Sequence, residues 1–210
     1  MIILENISKV YSKKVVLNNI SYEFRENKKV GILGPNGSGK TTIIKIICNI
    51  VFPTSGKVIK KTQNISYLPQ YPNFPENLKC IEIISMIKEI RNKESKNLEY
   101  LIEILNFKDH LNKKVYELSG GSKQKLNIIL SLMFDSDIYI LDEPSLSLDP
   151  ISSMKLRKYI KNLNKTVIFS SHIIDEFDEL ADEVIVLIEG NMIYGGSYIN
   201  KEHIISIFGI

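Results

Sequence analysis

Lys29-Val-Gly-Ile-Leu33, followed by Gly34-Pro-Asn-Gly-Ser-Gly-Lys-Thr41, decides how this chain folds. The apolar run reads as a short buried strand, and Thr41 to Ile50 is long enough for a helix. Between them, the residues fit the phosphate-loop pattern G-x-x-x-x-G-K-[ST] in the context that pattern requires. Gly34, Pro35, Asn36, Gly37, Ser38 and Gly39 let successive backbone N–H groups turn inward around phosphate oxygens. The helix behind them adds about half a unit of positive charge. Lys40 is then placed to neutralise β- and γ-phosphates and Thr41 to bind Mg²⁺, with Thr42 beside it. A glycine-rich turn that merely joins two elements is the plain alternative, and the buried strand and the helix on either side argue against it.

Working outward, Ile20, Tyr22 and Phe24 alternate with Ser21 and Glu23, the period of a half-buried antiparallel strand, and Met1 to Val10 is similar but less clean. Pro53 to Gly56 mark a turn before two short strands, Val58 to Lys61 and Asn64 to Leu68. From Pro75 to Glu117 the spacing becomes helical, in Ile81, Ile84, Ile87 and Ile90 and again in Leu98, Leu101, Ile102 and Leu105. Beyond Gly121, helices over 122–134, 150–163 and 173–181 alternate with strands over 138–141, 166–169 and 183–188. Such alternation implies a mainly parallel sheet covered by helices on both faces.

Ile138-Tyr-Ile-Leu-Asp142-Glu143-Pro144 is an apolar strand ending in two carboxylates, at the edge where a parallel sheet places ligands. Asp142 suits Mg²⁺, and Glu143, pointing differently, suits a general base or a group that orients the attacking water. Alone, such a pair reads as a solvated turn; the upstream phosphate loop reverses that reading. Leu118-Ser119-Gly120-Gly121-Ser122 places a serine and two glycines before a helix, a second anion-binding terminus. One nucleotide cannot easily occupy both, so two copies facing each other, each offering this segment to the other's nucleotide, is a natural resolution.

The ordered set GPNGSGKT, LSGGS, ILDEP and SSH resembles the nucleotide-binding domain of the ABC transporter superfamily over essentially the whole chain. The resemblance implies a P-loop α/β fold with a mainly parallel core sheet, an N-terminal antiparallel β subdomain and an inserted α-helical subdomain. Residues 1–74 and 119–210 would form the core with the β subdomain, and 75–118 the helical subdomain. It implies ATP hydrolysis with ATP and Mg²⁺. Tyr11 resembles the aromatic residue that stacks on adenine, Gln70 the glutamine that touches Mg²⁺ and senses the membrane partner, His172 the switch histidine on the γ-phosphate, and Asp149 the aspartate that communicates across the dimer. Two positions depart from the pattern: Ser122 stands where Gln is commonest, and Pro144-Ser-Leu-Ser-Leu precedes Asp149 where smaller residues are usual. The first bears on the signature loop's rigidity, the second on packing.

The 210 residues, 44% hydrophobic and 24% charged, suit a single domain. A net charge of +3 from 27 basic and 24 acidic residues is too balanced for a nucleic-acid groove or an anionic membrane surface. Cys48 and Cys80 lack a partner pattern and read as core filling, and His110 and His203 read as surface residues. The N-terminus does not look like a signal peptide, and no apolar run approaches the roughly 20 residues of a membrane span. The expectation is a cytoplasmic protein, peripheral on the inner face of the cell membrane. Its partners would be a second copy or a paralogous ATPase subunit, and an integral membrane transporter subunit. Tyr71, Phe74, Leu78 and Ile81 are candidates to receive a helix of that subunit. The compact form and SSHIIDEFDELADEVIVL resemble prokaryotic subunits that serve ABC-2-type exporters. A soluble non-transport ABC ATPase, or a nucleotide-dependent regulator, is the alternative; the coiled coils or fused second domain of the former are lacking, and Glu143 with His172 argues against the latter.

Overall fold

The computed structural model describes residues 1–208, and its first hairpin turns without glycine. β1 (Ile2–Tyr11) runs antiparallel to β2 (Lys14–Phe24), and the two residues between them, Ser12 and Lys13, both take positive φ, 44° and 74°. Such a primed turn matches the right-handed twist of its strands. β3 (Lys29–Leu33) leads through the phosphate loop into α1 (Lys40–Ile47). This helix stops short of Ile50 because Asn49 enters the left-handed region at φ 58°. Asparagine is the commonest substitute for glycine there, since its short amide bonds locally to the backbone. β4 (Ser55–Lys60) and β5 (Ile65–Leu68) follow, then α2 (Cys80–Arg91) and α3 (Leu98–Ile104), each ended by another left-handed asparagine, Asn92 and Asn106. Two 3₁₀ turns, Lys108–His110 and Val115–Glu117, lead into α4 (Gly120–Leu132).

The rest alternates as expected: β6 (Ile138–Asp142), α5 (Pro150–Asn162), β7 (Thr166–Ser171), α6 (Asp175–Leu180) and β8 (Glu183–Ile188). Two further elements close the described chain, β9 (Asn191–Ser197) and α7 (Lys201–Ile207). β9 pairs antiparallel with β8 through Glu189 and Gly190, both at positive φ, the same kind of turn as the first hairpin.

Strands β2-β1-β4 form an antiparallel three-stranded sheet, and β5-β6-β7-β3-β8-β9 a six-stranded one, parallel except for β9. The central strands are apolar through their middles because both faces are covered, with polar residues at their ends. Along β6, Ile138 and Ile140 join a cluster with α1 and the antiparallel sheet, while Tyr139 and Leu141 join the cluster formed with α4, α5 and the helical segment. In β3, Val30 and Ile32 face the first cluster, and Gly31 lies against α6, where an added Cβ would overlap the Phe177 ring and come 2.9 Å from Phe169. Cys80 is fully buried and Cys48 partly so; both are free thiols. His110 and His203 are half-buried rather than surface residues, His110 against Phe107 and His203 edge-on to Tyr194. Among the described residues, no helix is long and apolar enough to cross a membrane.

Candidate nucleotide site

The adjacency of β6, β7 and β3 brings three strand ends to one edge of the sheet. A cleft of about 450 Å³ opens there. Asn36, Gly37, Gly39, Lys40, Thr41 and Thr42 line it from the phosphate loop and α1, and Gln70 and Glu143 from across the sheet edge. Lys14 and Val16, not singled out from sequence, also line it, as does Tyr71, which the sequence offered only as a docking residue for a membrane subunit. The β2 pair has no local signal; only the folding of the antiparallel sheet over the phosphate loop brings Lys14 and Val16 to the cleft.

The loop is held by close backbone approach. A Cβ on Gly34 would overlap the Leu187 carbonyl and lie 2.5 Å from Ser38 Oγ, and Gly39 at φ 107° passes the Val16 carbonyl. Lys40, almost fully buried, curls back so that Nζ donates to the Gly34 carbonyl at 2.8 Å and the Pro35 carbonyl at 3.3 Å. Its third neighbour is Glu143 Oε1, at 3.6 Å.

Asp142 is completely buried at the end of β6. Its Oδ1 accepts from Thr41 Oγ1 at 3.1 Å and from Ser170 Oγ at 2.6 Å, whereas Oδ2 has no partner. Glu143 leaves the strand in left-handed backbone, φ 51°, a conformation that costs a non-glycine residue about 1–2 kcal/mol. The turn is pinned by its N–H, which donates to Ser170 Oγ at 2.9 Å. The Glu143 carboxylate meets His172, with Oε2 2.9 Å from Nδ1. Ser170 thus serves both carboxylate residues with one hydroxyl. Five buried side-chain polar atoms lack partners among the described residues, and two of them, Ser38 Oγ and Asp142 Oδ2, belong to this site. Orphaned polar atoms beside a hydroxyl and a buried carboxylate are what a phosphate-bound divalent cation requires, so the residues present fit Mg²⁺.

The remaining expected residues lie outside the cleft lining. Tyr11 ends β1 with its ring under Lys9 Nζ, 4.7 Å from the centroid. Ser119 caps α4 by accepting from the Ser122 N–H, Gly120 is open, and Gly121 packs on the Ser147 carbonyl. Asp149 caps α5 through Ser152 and pairs with Lys125 at 3.1 Å.

Residues 17–146 match the ABC transporter family. This chain belongs to that family. It is an ATP-binding, ATP-hydrolysing subunit of the ABC type, and its relatives extend over nearly its whole length. An uncharacterized ABC transporter ATP-binding protein of Methanocaldococcus jannaschii is 33% identical, over 92% of this chain and 76% of its own. The lantibiotic transport ATP-binding protein SrtF of Streptococcus pyogenes is 30% identical, over 99% of this chain and 96% of its own. Among solved structures, the dimeric post-hydrolysis state of the ATP-binding cassette MJ0796, bound to ADP and Pi, superposes with a TM-score of 0.83 at 25% identity, covering 94% of this chain and 98% of that one. The ABC ATPase fold expected from the motifs is therefore the fold observed.

Proposed function

We propose that this ABC ATPase is the cytoplasmic motor of a transporter whose membrane-spanning part is a separate chain, on which it sits peripherally. Two copies close around two nucleotides, each held by one phosphate loop and by Ser119, Gly120 and Gly121 of the other copy. The dimeric state named for the MJ0796 cassette supports this reading, as does the placing of the signature segment outside the chain's own cleft. In this scheme residues 75–118 act as a helical subdomain, with 1–74 and 119–210 forming the core and antiparallel β subdomain. Tyr11 stacks on adenine, and Asp149 contacts the opposite copy. The relative named for lantibiotic transport supports a transport role, and we assign this chain to export.

Thr41, Gln70 and Asp142 would hold Mg²⁺, which when bound neutralises charge on the phosphates. Lys40 transfers from the loop carbonyls to phosphate oxygens. Glu143 accepts the proton of the attacking water or orients it, and His172, tied to Glu143, reaches the γ-phosphate. The Glu143–His172 contact of 2.9 Å, beside the unpartnered Oδ2 of Asp142, is the observation that carries this assignment. The test is steady-state ATPase activity of wild type and Glu143→Gln, with size-exclusion chromatography of both in Mg·ATP. Turnover should fall at least about a hundredfold in the variant, the scale of a general base, and a dimer should accumulate. Equal inactivity of both proteins, both monomeric, would favour a nucleotide-dependent regulator.

A further inference from the structure

Ser122 stands where the family signature most often has glutamine, and the fold gives it neighbours on two sides. On one side is Ser119, whose Oγ accepts from the Ser122 N–H at 3.2 Å and lies 3.1 Å from the Ser122 hydroxyl. On the other, Ser122 Oγ is 3.4 Å from His110 Nε2, at the end of the first 3₁₀ turn. The imidazole packs on Phe107 with centroids 5.3 Å apart, and its Nδ1 is buried without a partner. Burial first, then the charges of Lys113 and Lys125, hold the His110 pKa below its ordinary value, with Asp109 opposing. The ring is therefore neutral at pH 7 and carries one proton.

The position of that proton sets the direction of the whole chain of hydroxyls. With the proton on Nδ1, Nε2 accepts from Ser122, Ser122 accepts from Ser119, and the Ser119 proton points inward. That arrangement leaves an N–H buried without an acceptor, at about 1–3 kcal/mol, and orphaned N–H groups are the rarer fault in folded proteins. With the proton on Nε2, His110 donates to Ser122, Ser122 donates to Ser119 Oγ, and the Ser119 proton is free to leave the end of α4. Only an idle lone pair remains inside.

We propose that His110 is a positioning residue: through Ser122 it fixes the Ser119 hydroxyl as an outward donor to a phosphate oxygen of the nucleotide held by a second copy of this chain. This rests on the role given to Ser119 above. It gives Ser122 a function that glutamine at that position would not serve in the same way, because one hydroxyl both accepts from the imidazole and donates to the cap.

Two readouts test it on the full chain. Nitrogen-15 NMR of the nucleotide-free protein should find His110 as the Nε2–H tautomer at pH 7; an Nδ1–H tautomer would overturn the proposal. In the Glu143→Gln background, His110→Phe keeps a ring on Phe107 and removes the donor. It should raise the Mg·ATP concentration needed for dimer formation about fivefold, the worth of one hydrogen bond, while His110→Gln, which retains an N–H, should restore most of the loss. If both substitutions are silent, or both impair equally, His110 only packs and the proposal fails. Ser119→Ala separates the two layers. If it leaves dimer formation unchanged while the tautomer is Nε2–H, the reading of Ser119 is wrong and the proposal falls with it, although the hydroxyl direction stands.

Discussion

A single hydroxyl, that of Ser170, ties together the two acidic residues at the end of β6. It donates to Asp142 Oδ1 and accepts the N–H of Glu143, so it both satisfies a fully buried carboxyl oxygen and pins the left-handed turn at Glu143. Ser170→Ala should destabilise the protein by about 1–3 kcal/mol, the cost of unsatisfied buried partners, measured by urea unfolding. It should also lower kcat more than it raises KM, because in the proposed mechanism the misplaced Glu143 serves the water and not nucleotide affinity. A loss under about 0.5 kcal/mol, the range of ordinary surface changes, would show that the turn holds without it. Asp142 and Glu143 were legible in the sequence because two acids at the end of an apolar strand, downstream of a phosphate loop, have few other uses. Ser170 was not singled out. It entered only as the first letter of SSH, and its part is not visible until the strand order sets β7 beside β6 and brings its hydroxyl to the carboxylates.

The elements themselves were legible wherever apolar spacing was unbroken, and least so at their ends. The helix expected to Ile50 ends at Ile47 because an asparagine took the place usually signalled by glycine. β9 escaped because Gly195 and Gly196 cut its apolar alternation short and its turn begins with Glu189, although Gly190 between two apolar runs was an available hairpin signal. The start of α4 shows how adjacent identical residues can differ. A Cβ on Gly120 would meet nothing within 4 Å, whereas one on Gly121 would lie 2.8 Å from the Ser147 carbonyl, itself at φ 64°. Gly120→Ala should therefore leave the isolated protein as stable or up to about 1 kcal/mol more so, yet weaken nucleotide-dependent dimer formation, because in the proposed dimer its backbone approaches a phosphate. Gly121→Ala should lose about 1–3 kcal/mol in the isolated protein through overpacking. Thermal unfolding of each variant, paired with chromatography in Mg·ATP, separates the two effects; equal melting temperatures would contradict the contact with Ser147.

At the scale of the whole molecule, the acid limb of stability follows from carboxylates outside the cleft lining. The Ser152 hydroxyl and N–H, and then Lys125, hold the Asp149 carboxyl well below the usual range, and Thr62 heads the groups that lower Asp137. A depressed folded pKa gives stability that is complete above the unfolded value, about 3.9, and is lost as pH falls through it towards the folded one. Both groups meet solvent, so the effect is modest and weakens with salt. The urea midpoint should hold from pH 6 to about pH 4 and fall below it, and Asp137→Asn with Asp149→Asn should flatten that fall; an unchanged slope would remove these groups from the linkage. The strand order has a consequence for synthesis as well. β3 lies between β7 and β8, so the strand that carries the phosphate loop has no parallel neighbour until Thr166–Ser171 is made, well over a hundred residues later. At ribosomal rates that is roughly ten seconds, during which the nascent chain displays a glycine-rich loop with no sheet behind it and Lys40 with no Glu143 opposite. A cell cannot obtain a working nucleotide pocket from a truncated message of this chain: the first half of the polypeptide encodes the cradle, but the second half makes it a cradle.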